Sequence, residues 1–499
     1  MISKPAVAAY AIHILMKYSL RHTLFLPVVL AVIFSSCATY NQKIQTYYDY
    51  MQRGNYKKAS DALDNNKYLQ KSRNQFLYLV EKGRVSYLME RYSESNFFFN
   101  KADNMAEDEK KTTGDAVKGT LLNPMMQTYA VQDFERFMLH YYKAINYCNL
   151  NNMEDAIVEA RRITLDNNLL SDIKKDKTNK YSKDAFSLVV QGMLYEKNGD
   201  INNAFISYRN AVETYTSQAD HTWYGITVPE QLKKDVIRTA ALMGFKDEQN
   251  RFENMFGQKY VRDTASGGSM IIFWEHGKAP IKSEQNIILT LIKNEAGMLT
   301  YQSELGSFNI PIPVGLNSNS GTNDLGSFQT FRIALPQYLP LSSNNVSASL
   351  TINDGVSANL EPVMDVNAVA IAVLKERRAK DITNALIRLA AKKAIEVGAK
   401  AATKAIAENN SKKEDDQKKK QEAENISNVV GAAVQAFSFF SEKADTRNWQ
   451  TLPSGIQYIR VPLQRGANKI IVTPQGGTTR KIIDVNGNGS IQLYSFYTN

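Results

Sequence analysis

The 499-residue sequence predicts a multidomain α+β protein: an N-terminal solenoid of paired helices, then a small antiparallel β-sandwich interrupted by a helical pair. Three observations carry this. From Gln42 to about Asn254 the chain reads as helices separated by short polar turns of one recurring form. After Gly257 it changes to short β-branched runs divided by Gly, Pro, Asn and Ser. Between 366 and 445 it reverts to alanine-rich helix before strand patterns return.

The first element is a leader. Leu24 to Phe34, "LFLPVVLAVIF", is eleven uncharged residues, preceded by Lys17, Arg21 and His22 and followed by Ser35, Ser36 and Cys37. A basic start, a short apolar centre and small residues form the layout of an export signal, and the run is too short to span a bilayer. The string "FSSC" resembles a lipobox, so residues 1–36 are expected to be removed and Cys37 to be lipidated. An ordinary leader and an uncleaved anchor are the alternatives, and Met16 competes with Met1 as the start. A multiply acylated cysteine satisfies the two-signal requirement for stable anchoring. Ala38 gives no acidic retention signal and "ATYNQK" no acidic export cluster, so the expected location is the outer membrane, facing the periplasm.

Removing residues 1–36 takes away Lys4, Lys17 and Arg21 and lowers the formal charge from +10 to +7. That surplus is dispersed and accompanies no aromatic–basic recognition motif, which argues against nucleic acid. With Cys37 committed to lipid, Cys148 has no disulfide partner.

The helical domain, 37–256, rests on a repeat. The turns "RGNYKKAS", "MERYSESN", "LNNMEDAI" and "KNGDINNA" align on one spacing. Gly83, Tyr92, Ser95, Phe99 and Ala102 stand at offsets 0, 9, 12, 16 and 19, and Gly192, Ile201, Ala204, Tyr208 and Ala211 repeat them. Weaker copies begin at Ala144 and Tyr47. Small residues let antiparallel helices approach while a bulky one fills the gap, which is the tetratricopeptide signature. Copies lie 36, 61 and 48 residues apart, so insertions separate them. Such arrays bind along the face lined by the first helix of each pair. By that analogy Tyr48, Arg84, Tyr87, Tyr141, Tyr142 and Glu196 are the candidate partner-binding residues, with interhelix packing as the competing reading.

Strands are predicted at "SMIIFWEH", "NIILTLIK", "FQTFRIAL" and "VSASLTIN" within 257–365, and at "GIQYIRVPL", "NKIIVTP", "TRKIIDVN" and "SIQLYSFYT" within 446–499. Divided four and four by the helical insertion 366–445, they suffice for one sandwich whose halves complete each other; two four-stranded units are the alternative. The last piece has the look of a small Ig-like or PEGA-like module. The insertion is read as a long helix, a solvated "NNSKKEDDQKKKQ" loop and a second helix from about Glu422 to Ala444. Its basic stretch Ala379 to Lys404 is expected to pack on protein rather than lie on lipid.

Chemistry is sparse. After leader removal only His140, His221 and His276 remain, and no HExxH, GxSxG, phosphate loop or paired CxxC is present. "NGNGS" near Gly487 reads as a hairpin turn. Glu154 and Asp155 read as helix-start acids, His140 as packing or groove surface, and Glu159, Arg161 and Arg162 as a solvated face or docking edge. No catalytic residue, metal site or cofactor is expected.

Three stretches, "FERFMLHYYKAINYCNLNNMEDAIVEARR", "IIFWEHGKAPIKSE" and "ADTRNWQTLPSGIQYIRVPL", together resemble an uncharacterised family of bacterial envelope lipoproteins with an N-terminal tetratricopeptide-like region and a C-terminal ADTRxWxxLP motif. The resemblance implies no established activity. In the last stretch Asp445 and Arg447 are expected to pair, Trp449 to plug the sandwich, and Leu452 with Pro453 to start a strand. The function expected is a lipid-anchored scaffold or adaptor binding envelope proteins. A regulator of peptidoglycan synthesis acting on a penicillin-binding protein is the alternative, and an envelope hydrolase a weaker one.

Overall fold

The computed structural model describes residues 39–111, 124–173, 181–262, 264–293, 299–303, 306–308, 330–342, 346–353, 355–409, 442–475 and 480–499. Helices come first as antiparallel pairs: α1 (Tyr40–Gln52) with α2 (Tyr56–Asp64), α3 (Gln75–Leu88) with α4 (Tyr92–Lys111), α5 (Asp133–Asn149) with α6 (Met153–Ile173), α7 (Ala185–Lys197) with α8 (Ile201–Tyr215), and α9 (Glu230–Leu242) with α10 (Lys246–Phe256). Each pair turns in the same way. Gly54, Glu90, Asn151, Gly199 and Gly244 take left-handed backbone. The next amide in every case reaches back to the carbonyl five residues earlier, at 2.9–3.0 Å: Asn55 to Tyr50, Arg91 to Ser86, Asn152 to Tyr147, Asp200 to Tyr195 and Phe245 to Ala240. This closes the last carbonyls of each first helix.

The offsets set the packing. Phe99 and Tyr208, sixteen residues after Gly83 and Gly192, press on those glycines so closely that an added Cβ would stand 2.5 and 2.4 Å from the rings. Ala59, Ser95, Ala156 and Ala204, at offset twelve, are all fully buried. Gly83→Ala and Gly192→Ala are therefore each expected to lower the unfolding free energy by about 1–3 kcal/mol, overpacking outweighing the better helix propensity of alanine. Urea unfolding checks it; equal or greater stability of either variant would refute the close contact.

Among the described residues the strands form three four-stranded sheets in the orders β12-β1-β9-β8, β11-β10-β6-β7 and β4-β3-β2-β5. They are β1 (Ser269–His276), β2 (Ile281–Lys293), β3 (Leu299–Ser303), β4 (Gly306–Phe308), β5 (Thr330–Leu339), β6 (Ala348–Ile352), β7 (Val356–Asn359), β8 (Glu361–Asp365), β9 (Gly455–Pro462), β10 (Gly466–Pro474), β11 (Lys481–Gly487) and β12 (Ile491–Thr498). Strands from before and after the insertion share the first two sheets, alternating in the first and lying side by side as two pairs in the second. The four-and-four expectation is corrected in two respects: β2 and β5 leave to build the third sheet, and β1 pairs parallel with β12. The second has a simple cause. The turn at Gly487–Ser490 carries the chain from one sheet to another instead of closing a hairpin, so nothing forces β12 antiparallel to its neighbour.

Alternation makes the first sheet a middle layer. Met270, Ile272 and Trp274 of β1 join Ile459, Val461 and Phe496 in a core shared with Leu350, Ile470, Val472 and Ile483 of the second sheet. Ile271 and Phe273, with Ile456 and Tyr458, face the helices instead, where Phe273 meets Tyr141 edge-on at 5.7 Å. That is why α3, α5 and α7 are buried nearly all round, polar residues included.

Helix α11 (Val366–Asn409) starts under an Asp365 cap, with the Ala368 amide donating to its Oδ1 at 2.8 Å. Val366, Val369, Ala370 and Val373 join the helical core, and Ile382 with Ala385 covers Ile287, Ile333 and Leu335 of the third sheet. The first part of the basic stretch, Ala379 to Arg388, thus packs on protein. The predicted second helix lies outside the described residues over 410–441, and Glu442 to Ala444 are not helical. Among the described residues no helix is long and apolar enough to cross a membrane.

Candidate functional site

The helical array packs directly on the chain's own β half. At the centre of that contact is Glu275 of β1. Arg84 Nη2 lies 2.6 Å from Glu275 Oε2 with both side chains wholly buried. Tyr142 donates to Oε2 at 3.0 Å, and Tyr141, Tyr87 and Ser495 donate to Oε1 at 3.1, 3.3 and 2.8 Å. Arg84 also donates from Nε to the Thr451 carbonyl at 3.2 Å and lies over the rings of Tyr87 and Tyr142. Burial opposes the Arg84 charge, but Glu275 and the tyrosines hold it protonated, with its pKa raised. Burial and the Glu275 carboxylate push the phenols of Tyr87 and Tyr141 well above their ordinary range, so both stay donors.

Beside this nest, residues 445–454 run through the groove as a buried, irregular segment. Arg447, fully buried, pairs with Asp445 at 2.6 Å and donates to Asn74 Oδ1 and to the carbonyls of Arg73, Gln127 and Pro124. The Trp449 amide donates to Glu135 Oε1 at 3.0 Å, and that of Gln450 to Glu81 Oε1 at 3.1 Å. Glu81 also accepts from Tyr47 at 2.6 Å and from the Thr451 hydroxyl. The indole sits against Phe99 and Tyr142, with centroids at 5.9 and 5.8 Å. The Asp445–Arg447 pair is as expected, and strand β9 starts two residues after Pro453. Trp449 plugs the helical groove rather than the sandwich, because the chain ahead of β9 is threaded between α3 and α5.

Two further ion clusters brace the array. Glu196 takes Arg238 and Arg460, the latter from β9 at 2.9 Å, and both arginines also reach Asp235. Between α4, α5 and α6, Lys143 Nζ lies 2.6 Å from Asp103 and 2.8 Å from Glu159, while His140 bonds Glu159 at 2.8 Å and Asp166 at 3.2 Å. Burial opposes protonation of His140, but those two carboxylates raise its pKa. Ligand atoms of Asp103, His140 and Glu159 fall within 4.8 Å of one another, a spacing that fits a metal. The Lys143 ammonium already bridges two of the three, and both ring nitrogens of His140 are engaged, so the set reads as a balanced ion network. Glu159 and Arg162, which pairs with Asp103, are part of it rather than a solvated face.

All six candidate partner-binding residues meet at this contact, and all are buried. Arg84, Tyr87, Tyr141 and Tyr142 converge on Glu275; Glu196 binds Arg460; Tyr48 lies beside Gln450, Thr451 and Tyr497. What they touch is the chain's own β half. Cys37 lies outside the described residues. The carboxylates Glu81, Glu135 and Glu275 were not singled out from sequence, though a signal existed: an acid inside an otherwise apolar helix or strand face. An open cleft of about 1080 Å³ lies elsewhere, between the start of α9, Thr264–Ser266 and the β6–β8 and β9 region.

The class that this geometry defines is a mixed helical and sheet protein with a repeated helical-hairpin array closed on its own strands. No family model matches the chain, and no curated protein matches it. Among solved structures, the apo form of the quorum sensor NprR from B. thuringiensis aligns with a TM-score of 0.20 and 14% identity, covering 49% of this chain and 72% of that one. At that score the likeness defines neither fold nor function.

Burial pushes the Glu81 carboxyl up to about 7, against the hydrogen bonds from Thr451, Tyr47 and Gln450 that pull it down. A carboxyl whose folded pKa exceeds its unfolded value stabilises the fold at low pH, and the contribution is lost as pH rises from about 4.5 through 7. Glu81→Gln should remove this slope, leaving a difference of about 3 kcal/mol between the two ends of that window. Unfolding free energies of both proteins across pH 4.5–7 test it; parallel curves would refute the assignment.

Proposed function

We propose that the protein is a non-catalytic, lipid-anchored scaffold or adaptor of the bacterial envelope, held by Cys37 on the outer membrane and facing the periplasm. Its helical half is a tetratricopeptide-like solenoid and its first two sheets form a sandwich. The observation that carries this reading is the closure of the array on its own strands. Every charged group of the groove named above is spent on this chain, in ion pairs and hydrogen bonds that favour rigidity over turnover. An outside partner reaching Tyr48, Arg84, Tyr87, Tyr141, Tyr142 or Glu196 would have to displace a sheet, so envelope partners dock on the outer surfaces of the array or on the open cleft.

Two measurements test the reading. Incorporation of labelled fatty acid should be lost in Cys37→Ala, and the variant should leave the membrane fraction; acylation that survives contradicts the anchor. Crosslinking of intact envelopes with mass spectrometry should recover envelope proteins linked to outer-surface lysines. Recovery of a penicillin-binding protein would turn the reading to the synthesis regulator, and turnover of muropeptides by the purified chain would overturn it.

A further inference from the structure

Lys282 of β2 is 4% exposed, and its ammonium passes over the rings of Tyr129 and Tyr338, 5.9 and 5.2 Å from their centroids. Tyr338 is its cross-strand partner on β5, and the buried Tyr338 hydroxyl has no hydrogen-bond partner among the described residues. Among the described residues no hydrogen bond or ion pair engages the Lys282 ammonium. A buried ammonium without an anion is costly, and folded chains seldom keep one idle.

The ammonium opens on a cavity of about 380 Å³ between the third sheet, α11 and the Pro124–Gln132 segment. Its other charged walls are Arg377, Lys380, Arg388, Asp381 and Asp445. Glu442 occupies Arg388 at 2.7 Å, and Arg447 occupies Asp445. Arg377 donates to Gln132 at 2.9 Å and keeps Asp381 only at 4.0 Å. Lys282, Arg377 and Lys380 therefore face one acid, Asp381. Glu135, behind the tyrosines, gives its oxygens to Tyr129, Gln132 and Trp449 rather than to the lysine, and counting it still leaves the cavity positive. The volume lies within the range of small-molecule sites.

We propose that this cavity binds a small oxyanion, the carboxylate or phosphate of an acidic molecule, with Lys282 at its floor and Arg377 and Lys380 nearer its mouth. Burial, with Arg377 and Arg447 nearby, holds the Lys282 pKa down to about 8 against Glu135 and Asp445; a bound anion would push it back up. Charge-assisted hydrogen bonds of this kind are the strong ones, and here they form away from bulk water. The site is independent of the scaffold reading and would give the protein a ligand at the junction of all its parts.

Calorimetric titration of the mature chain with sodium phosphate, and separately with sodium succinate, at ionic strength held constant with chloride, tests it. The expected result is saturable one-site binding of at least one anion, weakened at least tenfold in Lys282→Met and several-fold in Lys380→Ala. Phosphate alone assigns a phosphate-bearing ligand, and succinate alone a carboxylate. Binding no stronger than chloride overturns the proposal, as does unchanged affinity in the variants. Should Lys282→Met fail to fold, the exposed Lys380→Ala together with Arg377→Gln decides, since unchanged affinity in both equally overturns it.

Discussion

Arg84→Met is expected to lower the free energy of unfolding by about 3–5 kcal/mol, the range for removing one partner of a buried ion pair. The reason is what stays behind. Glu275 would remain wholly buried with four neutral hydroxyl donors and no cation, and the Thr451 carbonyl would lose its donor. Methionine fills much of the space, so cavity formation adds little. The double variant Arg84→Met/Glu275→Gln should recover part of the loss, because the stranded charge is gone while amide and hydroxyl groups still meet. Urea or thermal unfolding of the two variants reads this directly. A loss below about 1 kcal/mol in the single variant, or a simple sum in the double, would mean that the pair does not hold the halves together.

Trp449→Ala should cost a similar amount, about 3–5 kcal/mol, because a large aromatic leaves a pocket whose walls belong to two halves of the chain. Phe99 is pressed on Gly83 of α3 and stacked on Tyr142 of α5, so these rings collapse poorly into the space. The effect has a local signature as well. Arg447 is buried in the folded protein, and the variant should expose it, so limited trypsin digestion should cut after Arg447 before the helical hairpins are touched. A variant as trypsin-resistant as the parent would contradict the role given to the indole.

Much of the architecture was legible because it rests on local periodicity. All eight strands read from β-branched runs are present, and the offset between Gly83 and Phe99 appears in space as a ring on a bare backbone. The fifth hairpin, α9 with α10, was missed. It repeats the turn at Gly244 but carries Gln249 and Glu253 where the other copies place a small residue and a packing residue. Strands β3, β4, β7 and β8 were missed because they are short, and β8, "EPVMD", runs straight into a helix. What fills the groove was not legible at all. Periodicity tells that Arg84 and Tyr142 share a face, and that Glu275 ends a buried strand, yet only the tertiary path across about two hundred residues brings them together. The same limit explains Trp449: its burial was foreseen, its location was not.

The central claim is that the array grips its own chain, and hydrogen exchange of the intact protein tests it most directly. The amides of Trp449 and Gln450, bonded to Glu135 and Glu81, should exchange only through global unfolding, with the same opening free energy as the core amides of α3. Exchange of those two amides a hundredfold or more faster than the α3 core would contradict the account, since the groove would then open on its own and stand free for another ligand.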